Sequence, residues 1–178
     1  MVQPYEIALQ KAQKVKLLIL DVDGVMTDGR VTFDAQGQEM KTFHVRDGHG
    51  IVLAHQANLR SAILSGRASD VVAQRAAELG IDLVFQKVYN KLEVYETLLA
   101  QTGLQREETA YIGDDVVDIP VLRQVGFSVA VADAVPEVKE IVDFVTEHKG
   151  GEGAVRECIE LILRAQGVWS QLIAQYST

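Results

Sequence analysis

The chain alternates between short apolar runs and longer amphipathic stretches, and this alternation limits its fold more than any other feature. The apolar runs have the length of strands and little internal polarity, which is typical of strands buried on both faces. Such runs occupy residues 15–20, 62–64, 83–85, 110–112 and 127–131. Helices are predicted at residues 4–14, 50–57, 70–79, 91–102, 116–125, 154–165 and 168–176. This order predicts an α/β fold, in which right-handed crossovers build a doubly wound parallel sheet covered on both faces.

Residues 30–44 depart from the alternation of strands and helices. Their polarity alternates on both sides of a turn at Gly37, which predicts a β-hairpin insertion where a helix would normally follow the first strand. The chain contains no internal repeat, low-complexity tract or linker. We therefore predict one domain over residues 1–178, with the hairpin at 30–44 and a C-terminal helix and tail at 154–178.

Composition limits the class of function. The 178 residues are 48% hydrophobic and carry a net charge of −8, which favours a globular protein and disfavours nucleic acid as a partner. The apolar runs are shorter than the roughly 20 residues that span a bilayer. Cys158 is the single cysteine, so no internal disulfide forms, as is usual in a reducing compartment. We expect a cytoplasmic protein without a membrane partner.

Polar residues follow the predicted strands at the points where the strands end. The carboxyl ends of parallel strands meet at one edge of a sheet, where ligands of such folds bind. The residues expected to converge there are Asp21 and Asp23 after the first strand, Ser65 after the second, Asp114 and Asp115 after the fourth, and Lys91 at the start of the helix after the third.

This set of side chains suits phosphoryl transfer. Neighbouring carboxylates repel one another, and a hard divalent cation such as Mg²⁺ relieves the repulsion. Asp21 and Asp23 lie two residues apart on an extended chain and project to the same side, so one can attack while the other moves protons. Ser65 offers a hydroxyl group, and Lys91 a positive charge, to the oxygens of an incoming phosphoryl group.

Each of these residues also has an ordinary structural alternative. Aspartate after a strand is common as a turn former or helix cap, and Ser65 can act as a cap in the same way. Lys91 can be a solvated residue of a first helical turn, and Gly-Asp-Asp a simple turn. The functional interpretation depends on four such signals that occur in order, each at a predicted strand end.

These residues resemble the four motifs of the haloacid dehalogenase superfamily of phosphatases, which implies a Rossmann-like fold. The matching residues are Asp-Val-Asp-Gly-Val-Met-Thr-Asp at 21–28, Leu-Ser-Gly-Arg at 64–67, Lys91, and Gly-Asp-Asp-Val-Val-Asp at 113–118. More narrowly, the chain is similar to the family of 3-deoxy-D-manno-octulosonate 8-phosphate (KDO 8-phosphate) phosphatases. The further matching segments are residues 43–48, 110–115, 131–134 and 150–154, and the likeness extends from about residue 15 to 167.

The resemblance implies a role for each motif residue. Asp21 is the expected nucleophile, which forms an aspartyl-phosphate, and Asp23 the general acid and then general base. Magnesium is expected to bind the side chains of Asp21 and Asp114 and the backbone carbonyl of Asp23. Lys91 is preferred to Lys87 as the motif lysine, because it opens a helix where the family places its lysine. Farther from the metal, Asp115 and Asp118 are expected to orient waters or Lys91.

The spacing of the motifs leaves no room for a separate cap domain. Asp21 and Ser65 are separated by 43 residues and Ser65 and Lys91 by 25, and the predicted elements use both segments. An uncapped cleft exposes the substrate to water. The resemblance implies a homotetramer in which hairpins and C-terminal tails of neighbouring subunits shape the entrance, with residues 30–44 as an assembly element.

The resemblance also implies a phosphorylated sugar acid as the substrate. Arginine binds carboxylates with two parallel hydrogen bonds, and an ion pair with a nearby carboxylate such as Asp47, Asp70 or Glu78 is the structural alternative for the arginines. His44 can contact the substrate or be an ordinary hairpin residue. The predicted substrate-binding residues are Asp23, His44, Arg46, Asp47, Gly48, Gly66, Arg67, Arg75 and Lys91.

Three other functions remain open from the sequence. The chain can be a phosphatase for another sugar acid or sugar phosphate. It can be a phospho-aspartate signalling receiver, although a receiver has no use for an acid-base group at Asp23. It can also be an inactive interaction subunit, which the presence of every required group disfavours.

Overall fold

A six-stranded parallel sheet forms the centre of the computed structural model, which describes residues 4–176. The strands are β1 (Leu17–Leu20), β2 (Thr32–Phe33), β3 (Glu39–Met40), β4 (Arg60–Leu64), β5 (Leu83–Phe85), β6 (Thr109–Gly113), β7 (Phe127–Ala130) and β8 (Phe144–Val145). The order in the sheet is β5-β4-β1-β6-β7-β8, with β2 and β3 paired separately. All neighbouring pairs of the large sheet are parallel. The predicted α/β class and parallel sheet are confirmed.

Helices pack on this sheet and around one another. They are α1 (Pro4–Ala12), α2 (Val45–Gln56), α3 (Asp70–Leu79), α4 (Lys91–Thr102), α5 (Ile119–Leu122), α6 (Pro136–Lys139), α7 (Ala154–Ala165) and α8 (Trp169–Ala174). Short 3-10 turns occupy Arg106–Glu108 and Val116–Asp118. Helix α7 packs against α1, α2 and α8. The four residues of β1 are at most 1% exposed, which explains why the strand is a continuous apolar run.

The predicted hairpin is present but shorter than residues 30–44. Only Thr32 pairs with Met40 and Phe33 with Glu39, and the Asp34 carboxylate accepts hydrogen bonds from the backbone of Gln36 and Gln38 in the turn. The hairpin pairs with none of the six main strands. Within the described residues, the segments between Asp21 and Lys91 contain this hairpin, α2, β4, α3 and β5, and no cap domain.

Two predicted helices differ from the structure for local reasons, and two short elements were not predicted. Helix α2 begins at Val45 and not at residue 50, because Gly48 and Gly50 lie inside the helix where it approaches α3 and α7. The helix predicted at 116–125 is a 3-10 turn followed by α5, with Pro120 in its first turn. The sequence analysis missed α6 and β8, which are only four and two residues long. The ends of the predicted domain and tail, residues 1–3 and 177–178, lie outside the described residues.

Among residues 4–176, none of the helices has both the length and the apolar character needed to cross a bilayer.

Candidate active site

The strand order reverses between β1 and β6, which lie side by side at the centre of the sheet. The chain continues from β1 towards β4 and β5 on one side, and from β6 towards β7 and β8 on the other. A reversal of this kind opens a crevice beyond the carboxyl ends of the two strands. Asp21 directly follows β1 and Asp114 directly follows β6, so the two aspartates stand at the two sides of the crevice.

Three carboxylates meet in this crevice. Oxygens of Asp21, Asp114 and Asp118 lie within 4.8 Å of one another. Burial and the charge of Asp118 raise the pKa of Asp21 to about 7, against an opposing effect of Lys91. Burial and the charges of Asp21, Asp118 and Asp115 raise the pKa of Asp114 to about 8. The site therefore holds more negative charge than its own side chains balance.

Lys91 is a buried part of this cluster. Its Nζ lies 3.0 Å from Asp21 Oδ1 and 2.7 Å from Asp118 Oδ1. Burial alone would lower the pKa of Lys91, but the charges of Asp21 and Asp118 raise it above its ordinary value. The alternative of a solvated first-turn residue is wrong, because the Lys91 side chain is only 4% exposed. The cap of this helix is Asn90, whose side chain accepts a hydrogen bond from the backbone of Glu93.

Tyr111 completes the surroundings of Lys91, and the sequence analysis assigned it no role. Its hydroxyl group donates to Asp118 Oδ1 at 2.6 Å and accepts from Lys91 Nζ at 3.0 Å. Burial and the charges of Asp118 and Asp21 raise the pKa of this hydroxyl well above its ordinary value. The available signal was a tyrosine within a buried strand, since a buried hydroxyl needs a hydrogen-bond partner.

Asp118 connects Lys91 and Tyr111 to the loop after β6. Its Oδ1 accepts from Lys91 and Tyr111, and its Oδ2 accepts from the backbone of Asp114 at 3.0 Å and of Asp115 at 3.3 Å. Both oxygens are thus occupied by protein donors, which leaves Asp21 and Asp114 as the better metal ligands. Asp115 is exposed and accepts a hydrogen bond from the backbone of Val116. This contact is the one expected if the Gly-Asp-Asp segment forms a simple turn.

The loop after β1 approaches Asp114 closely. Gly24 has a φ of +91°, and a Cβ at this position would lie 2.1 Å from Asp114 Oδ2, so only glycine fits. The hydroxyl of Thr27 accepts from the backbone of Gly24 and Gly29 inside the loop. On the other side, Gly150 packs so tightly that a Cβ would lie 1.7 Å from the Gly24 carbonyl oxygen. These contacts fix the loop that carries Asp23.

Asp23 lies outside the three-carboxylate cluster and belongs to a second charged group. Its Oδ1 contacts Lys41 Nζ, and its Oδ2 lies 3.9 Å from Arg67 Nε. Both cations also contact Glu39, with Oε1 at 3.5 Å from Lys41 Nζ and 2.5 Å from Arg67 Nη2. Burial alone would raise the pKa of Glu39, but a hydrogen bond from Ser69 and these two cations lower it. The sequence analysis missed Lys41 and Glu39, because the hairpin was predicted only as an assembly element.

The loop after β4 brings Ser65, Gly66 and Arg67 to the same edge of the sheet. Ser65 is buried, and its hydroxyl accepts from the backbone of Arg67 at 3.4 Å. Gly66 is exposed between them. Arg67 reaches Asp23, so the structure places this predicted substrate-binding residue beside the predicted acid-base group.

Asp47, a predicted substrate-binding residue, makes a structural contact between α2 and α7. Its carboxylate accepts hydrogen bonds from the backbone of Gly153 at 3.3 Å and of Arg156 at 2.8 Å. Burial raises the pKa of Asp47, although these hydrogen bonds oppose the effect. Because both of its oxygens cap the start of α7, we infer that Asp47 joins α2 to α7.

Arg75 and Gly48 contact each other away from the carboxylate cluster. The guanidinium group of Arg75 pairs with Glu78 at 3.1 Å and lies over the ring of Phe43. The pair with Glu78 is the ion pair that was the structural alternative to substrate binding. A Cβ at Gly48 would lie 2.3 Å from Arg75 Nη2, so Gly48 allows α2 to approach this side chain. Neither residue contacts the carboxylates in the structure of residues 4–176.

His44 and Arg46 line a separate cavity of 790 Å³ beside α7. Arg156 and Arg164 also line it, whereas Asp21, Asp23 and Asp114 do not. Nδ1 of His44 is buried and has no hydrogen-bond partner in the part of the chain that the structure describes. The structure therefore places the predicted substrate-binding arginines in three separate positions: Arg67 at the carboxylates, Arg46 at this cavity with His44, and Arg75 beside Glu78.

The reversed strand order, the three carboxylates and the buried lysine define a hydrolase of the haloacid dehalogenase-like class. The model of that family, described as haloacid dehalogenase-like hydrolase, matches residues 54–159. The KDO 8-phosphate phosphatase of Salmonella typhi is 47% identical over 159 residues, which is 89% of this chain and 85% of that protein.

Solved structures agree with this class. The KDO 8-phosphate phosphatase from Yersinia pestis has a TM-score of 0.90 and 48% identity, and the match covers 91% of this chain and 88% of that one. The enzyme of that name from Moraxella catarrhalis, in complex with magnesium, phosphate and KDO, has a TM-score of 0.93 and 38% identity over 95% and 97%. The chain belongs to the family of KDO 8-phosphate phosphatases within the haloacid dehalogenase-like hydrolases.

Proposed function

We propose that the protein hydrolyses KDO 8-phosphate to KDO and phosphate through an aspartyl-phosphate on Asp21. The observation that carries this proposal is the buried Asp21 carboxylate, held 3.0 Å from Lys91 and grouped with Asp114 and Asp118 at the reversal of strand order. The Salmonella, Yersinia and Moraxella relatives with this activity support the choice of substrate.

The residues of the crevice fit magnesium. Three carboxylates face a single lysine there, and Mg²⁺ prefers carboxylate, carbonyl and water oxygens. The side chains of Asp21 and Asp114 and the backbone carbonyl of Asp23 would hold the ion. When bound, Mg²⁺ supplies positive charge that keeps the carboxylates ionised and attracts the phosphoryl oxygens.

In the first step, an oxygen of Asp21 attacks phosphorus in line with the bond to the sugar oxygen. As that bond breaks, Asp23 donates a proton to the leaving oxygen, which would otherwise depart as an unstable alkoxide. Lys91 and the Ser65 hydroxyl hold phosphoryl oxygens, while Tyr111 and Asp118 fix Lys91 through its two hydrogen bonds.

In the second step, Asp23 accepts a proton from a water molecule as the water oxygen attacks phosphorus. The bond between phosphorus and Asp21 breaks, which releases phosphate and restores the Asp21 carboxylate, while Asp23 is again a protonated carboxylic acid. Because the same group donates and then accepts one proton, Asp23 ends the cycle ready for another substrate.

The test of the substrate is phosphate release from KDO 8-phosphate beside close sugar-acid and sugar phosphates, with magnesium and with a chelator. We expect magnesium-dependent hydrolysis with the highest kcat/KM for KDO 8-phosphate. A flat profile across the panel would instead assign a general sugar phosphatase. Loss of hydrolysis in all conditions would reject the phosphatase.

The roles of the three central residues are tested by substitution. Asp21→Asn and Asp23→Asn are each expected to abolish turnover in a folded protein, since neither amide can attack or transfer the proton. Lys91→Ala is expected to lose about 3 kcal/mol of transition-state stabilisation. Lys87→Ala is the matched control, because Lys87 is exposed at the same end of the sheet. Near-normal activity of Asp21→Asn would exclude the covalent route.

We further propose that Arg67 binds the carboxylate of the sugar acid. Its side chain is 44% exposed beside Asp23, so a substrate placed for proton transfer can reach it. Lysine cannot form two parallel hydrogen bonds to a carboxylate. Arg67→Lys is therefore expected to raise KM for KDO 8-phosphate and to leave KM unchanged for a sugar phosphate that has no carboxylate.

A homotetramer in the cytoplasm is the proposed working form. Apolar side chains stand exposed on and beside the hairpin, at Val31 (45%), Phe33 (59%), Met40 (51%) and Val45 (79%). Exposed apolar side chains of this kind mark interaction surfaces, and a neighbouring subunit is the proposed partner of the hairpin face that carries Met40. Support for the cytoplasm comes from the free, buried thiol of Cys158.

A further inference from the structure

Lys41 is a cation at the edge of the site whose side chain is buried, although the residue as a whole is half-buried. It directly follows β3, on a hairpin whose own side chains are mostly exposed, yet its side chain is 1% exposed. A buried ammonium group is costly unless carboxylates face it. The carboxylates that face Lys41 Nζ are Asp23 and Glu39.

Lys41, Asp23, Arg67 and Glu39 form a closed ring of alternating charges. Lys41 bridges Asp23 Oδ1 and Glu39 Oε1, and Arg67 bridges the same Glu39 oxygen and Asp23 Oδ2. The contacts on the two oxygens of Asp23 are unequal. Oδ1 is in direct contact with Lys41, whereas Oδ2 lies 3.9 Å from Arg67 Nε, beyond hydrogen-bond distance.

This inequality matters for a group that has to transfer one proton from a fixed place. The two oxygens of a carboxylate exchange by rotation about a single bond, and each exchange removes the reacting oxygen from its position. A contact that holds one oxygen leaves the other in a defined direction, and errors of about 1 Å in such positions cost about a hundredfold in rate.

We infer that Lys41 is a positioning residue that holds Oδ1 of Asp23 and so makes Oδ2 the proton-carrying oxygen. Oδ2 gives its proton to the sugar oxygen as the bond to phosphorus breaks, and takes one from water as the aspartyl-phosphate is hydrolysed. The inference rests on the proposed role of Asp23 and extends it to a residue of the hairpin.

The test compares Lys41→Met, Lys41→Arg and the exposed control Lys87→Met, by kcat and KM for KDO 8-phosphate with magnesium. We expect kcat of Lys41→Met to fall about ten- to a hundredfold with little change in KM. Lys41→Arg should recover most of the loss, because it restores a cation beside Oδ1, and Lys87→Met should resemble the parent protein. An unchanged kcat in Lys41→Met overturns the inference.

Two further variants separate positioning from a loosened hairpin. Glu39→Gln breaks the far side of the ring but leaves the contact between Lys41 and Asp23, so its kcat should fall much less than that of Lys41→Met. An equal fall in Glu39→Gln overturns the inference. If thermal unfolding shows that Lys41→Met does not fold, Lys41→Gln removes the same charge with a polar side chain and should show the same fall in kcat.

Asp23→Asn distinguishes this inference from the proposed function. The residual single-turnover release of KDO, which remains measurable when multiple turnover is lost, is compared in Asp23→Asn and in Asp23→Asn with Lys41→Met. A residue that acts only through Asp23 should have no further effect once Asp23 is replaced. A further large fall overturns the inference alone, whereas near-normal activity of Asp23→Asn rejects the proposed role of Asp23 itself.

Discussion

At the scale of single residues, the site combines a group with excess negative charge and a second group whose charges balance. The group around Asp21 has three carboxylates for one lysine, and raised pKa values at Asp21 and Asp114 express that excess. The group around Asp23 balances two carboxylates with Lys41 and Arg67. A cation therefore has a place in the first group, while the second group is neutral without one.

This difference predicts how magnesium binding depends on pH. Without metal, the folded-state pKa values of Asp21 and Asp114 are about 7 and about 8, above the unfolded value of about 3.9. The two carboxyl groups with raised pKa values contribute to the free energy of unfolding. This contribution is fully present below about pH 4 and is lost as pH rises towards 8. We expect the Tm of the metal-free protein to fall over this range, and the gain in Tm on adding magnesium to grow.

Asp114→Asn is the control for this measurement. It removes one of the two raised carboxyl groups and one proposed ligand, so both the pH-dependent fall in Tm and the gain with magnesium should shrink. An equal gain with magnesium at about pH 5 and about pH 8 would contradict the proposed ligands, because metal binding has to displace the protons that those carboxyls hold.

Tyr111 gives a second prediction at this scale. In Tyr111→Phe, Asp118 loses one donor and Lys91 loses one acceptor, so we expect about 1.5 to 3 kcal/mol of lost stability in urea unfolding. We also expect about a tenfold lower kcat, since Lys91 is less well fixed. Tyr95→Phe is the control, because its buried hydroxyl bonds to Thr109 and not to a carboxylate. Equal kcat values in the two variants would exclude a role of Tyr111 in the site.

At the scale of elements, the regular sheet and helices could be predicted because their signal is local. The apolar run of β1 and the lengths of α3 and α4 depend on neighbouring residues, and these elements agree with the prediction. Elements of two to four residues such as β8 and α6 are too short for a periodic signal. Glycine inside α2 reads as a helix breaker, although packing against α3 and α7 favours it there.

The same reasoning explains which site residues could be predicted. Asp21, Ser65 and Asp114 follow strands, so the rule for strand ends brings them together before any tertiary contact is known. Tyr111 and Lys41 reach the site only through contacts across 7 and 18 residues, with Asp118 and Asp23. Asp47 lies in a matching motif but caps α7, a use that only the packing of α2 on α7 reveals.

The loop after β1 gives the prediction for this scale. In Gly150→Ala, the new Cβ would overlap the Gly24 carbonyl oxygen at 1.7 Å, so the loops at 24–28 and 148–153 have to separate. We expect about 1 to 3 kcal/mol of lost stability and a lower kcat, because Asp23 moves with its loop. Gly66→Ala is the control for stability, since its Cβ would meet nothing closer than 3.7 Å. Parent-like unfolding of Gly150→Ala would show that the two loops are not packed as described.

At the scale of the whole molecule, the crevice lacks a cover from the chain's own described residues. The segments between Asp21 and Lys91 contain only the short hairpin and the helices and strands of the fold. That hairpin has two faces, because Thr32 is paired with Met40 and Phe33 with Glu39. Glu39 faces Arg67 and Lys41, so the face with Phe33 adjoins the site and Met40 lies on the opposite face, where a neighbouring subunit can pack.

Met40→Glu tests this arrangement. In a lone subunit the new charge would stand in water at a position that is already 51% exposed, so folding should be unaffected, whereas in a tetramer it would be buried without a partner at a cost of several kcal/mol. We expect light scattering to show dissociation, together with a lower kcat/KM, since water enters the uncovered crevice. Ile7→Glu on α1, at a position with 45% exposure, should leave the assembly unchanged. A parent protein that is monomeric at working concentration, or a tetramer that persists in Met40→Glu, would reject the hairpin as the assembly element.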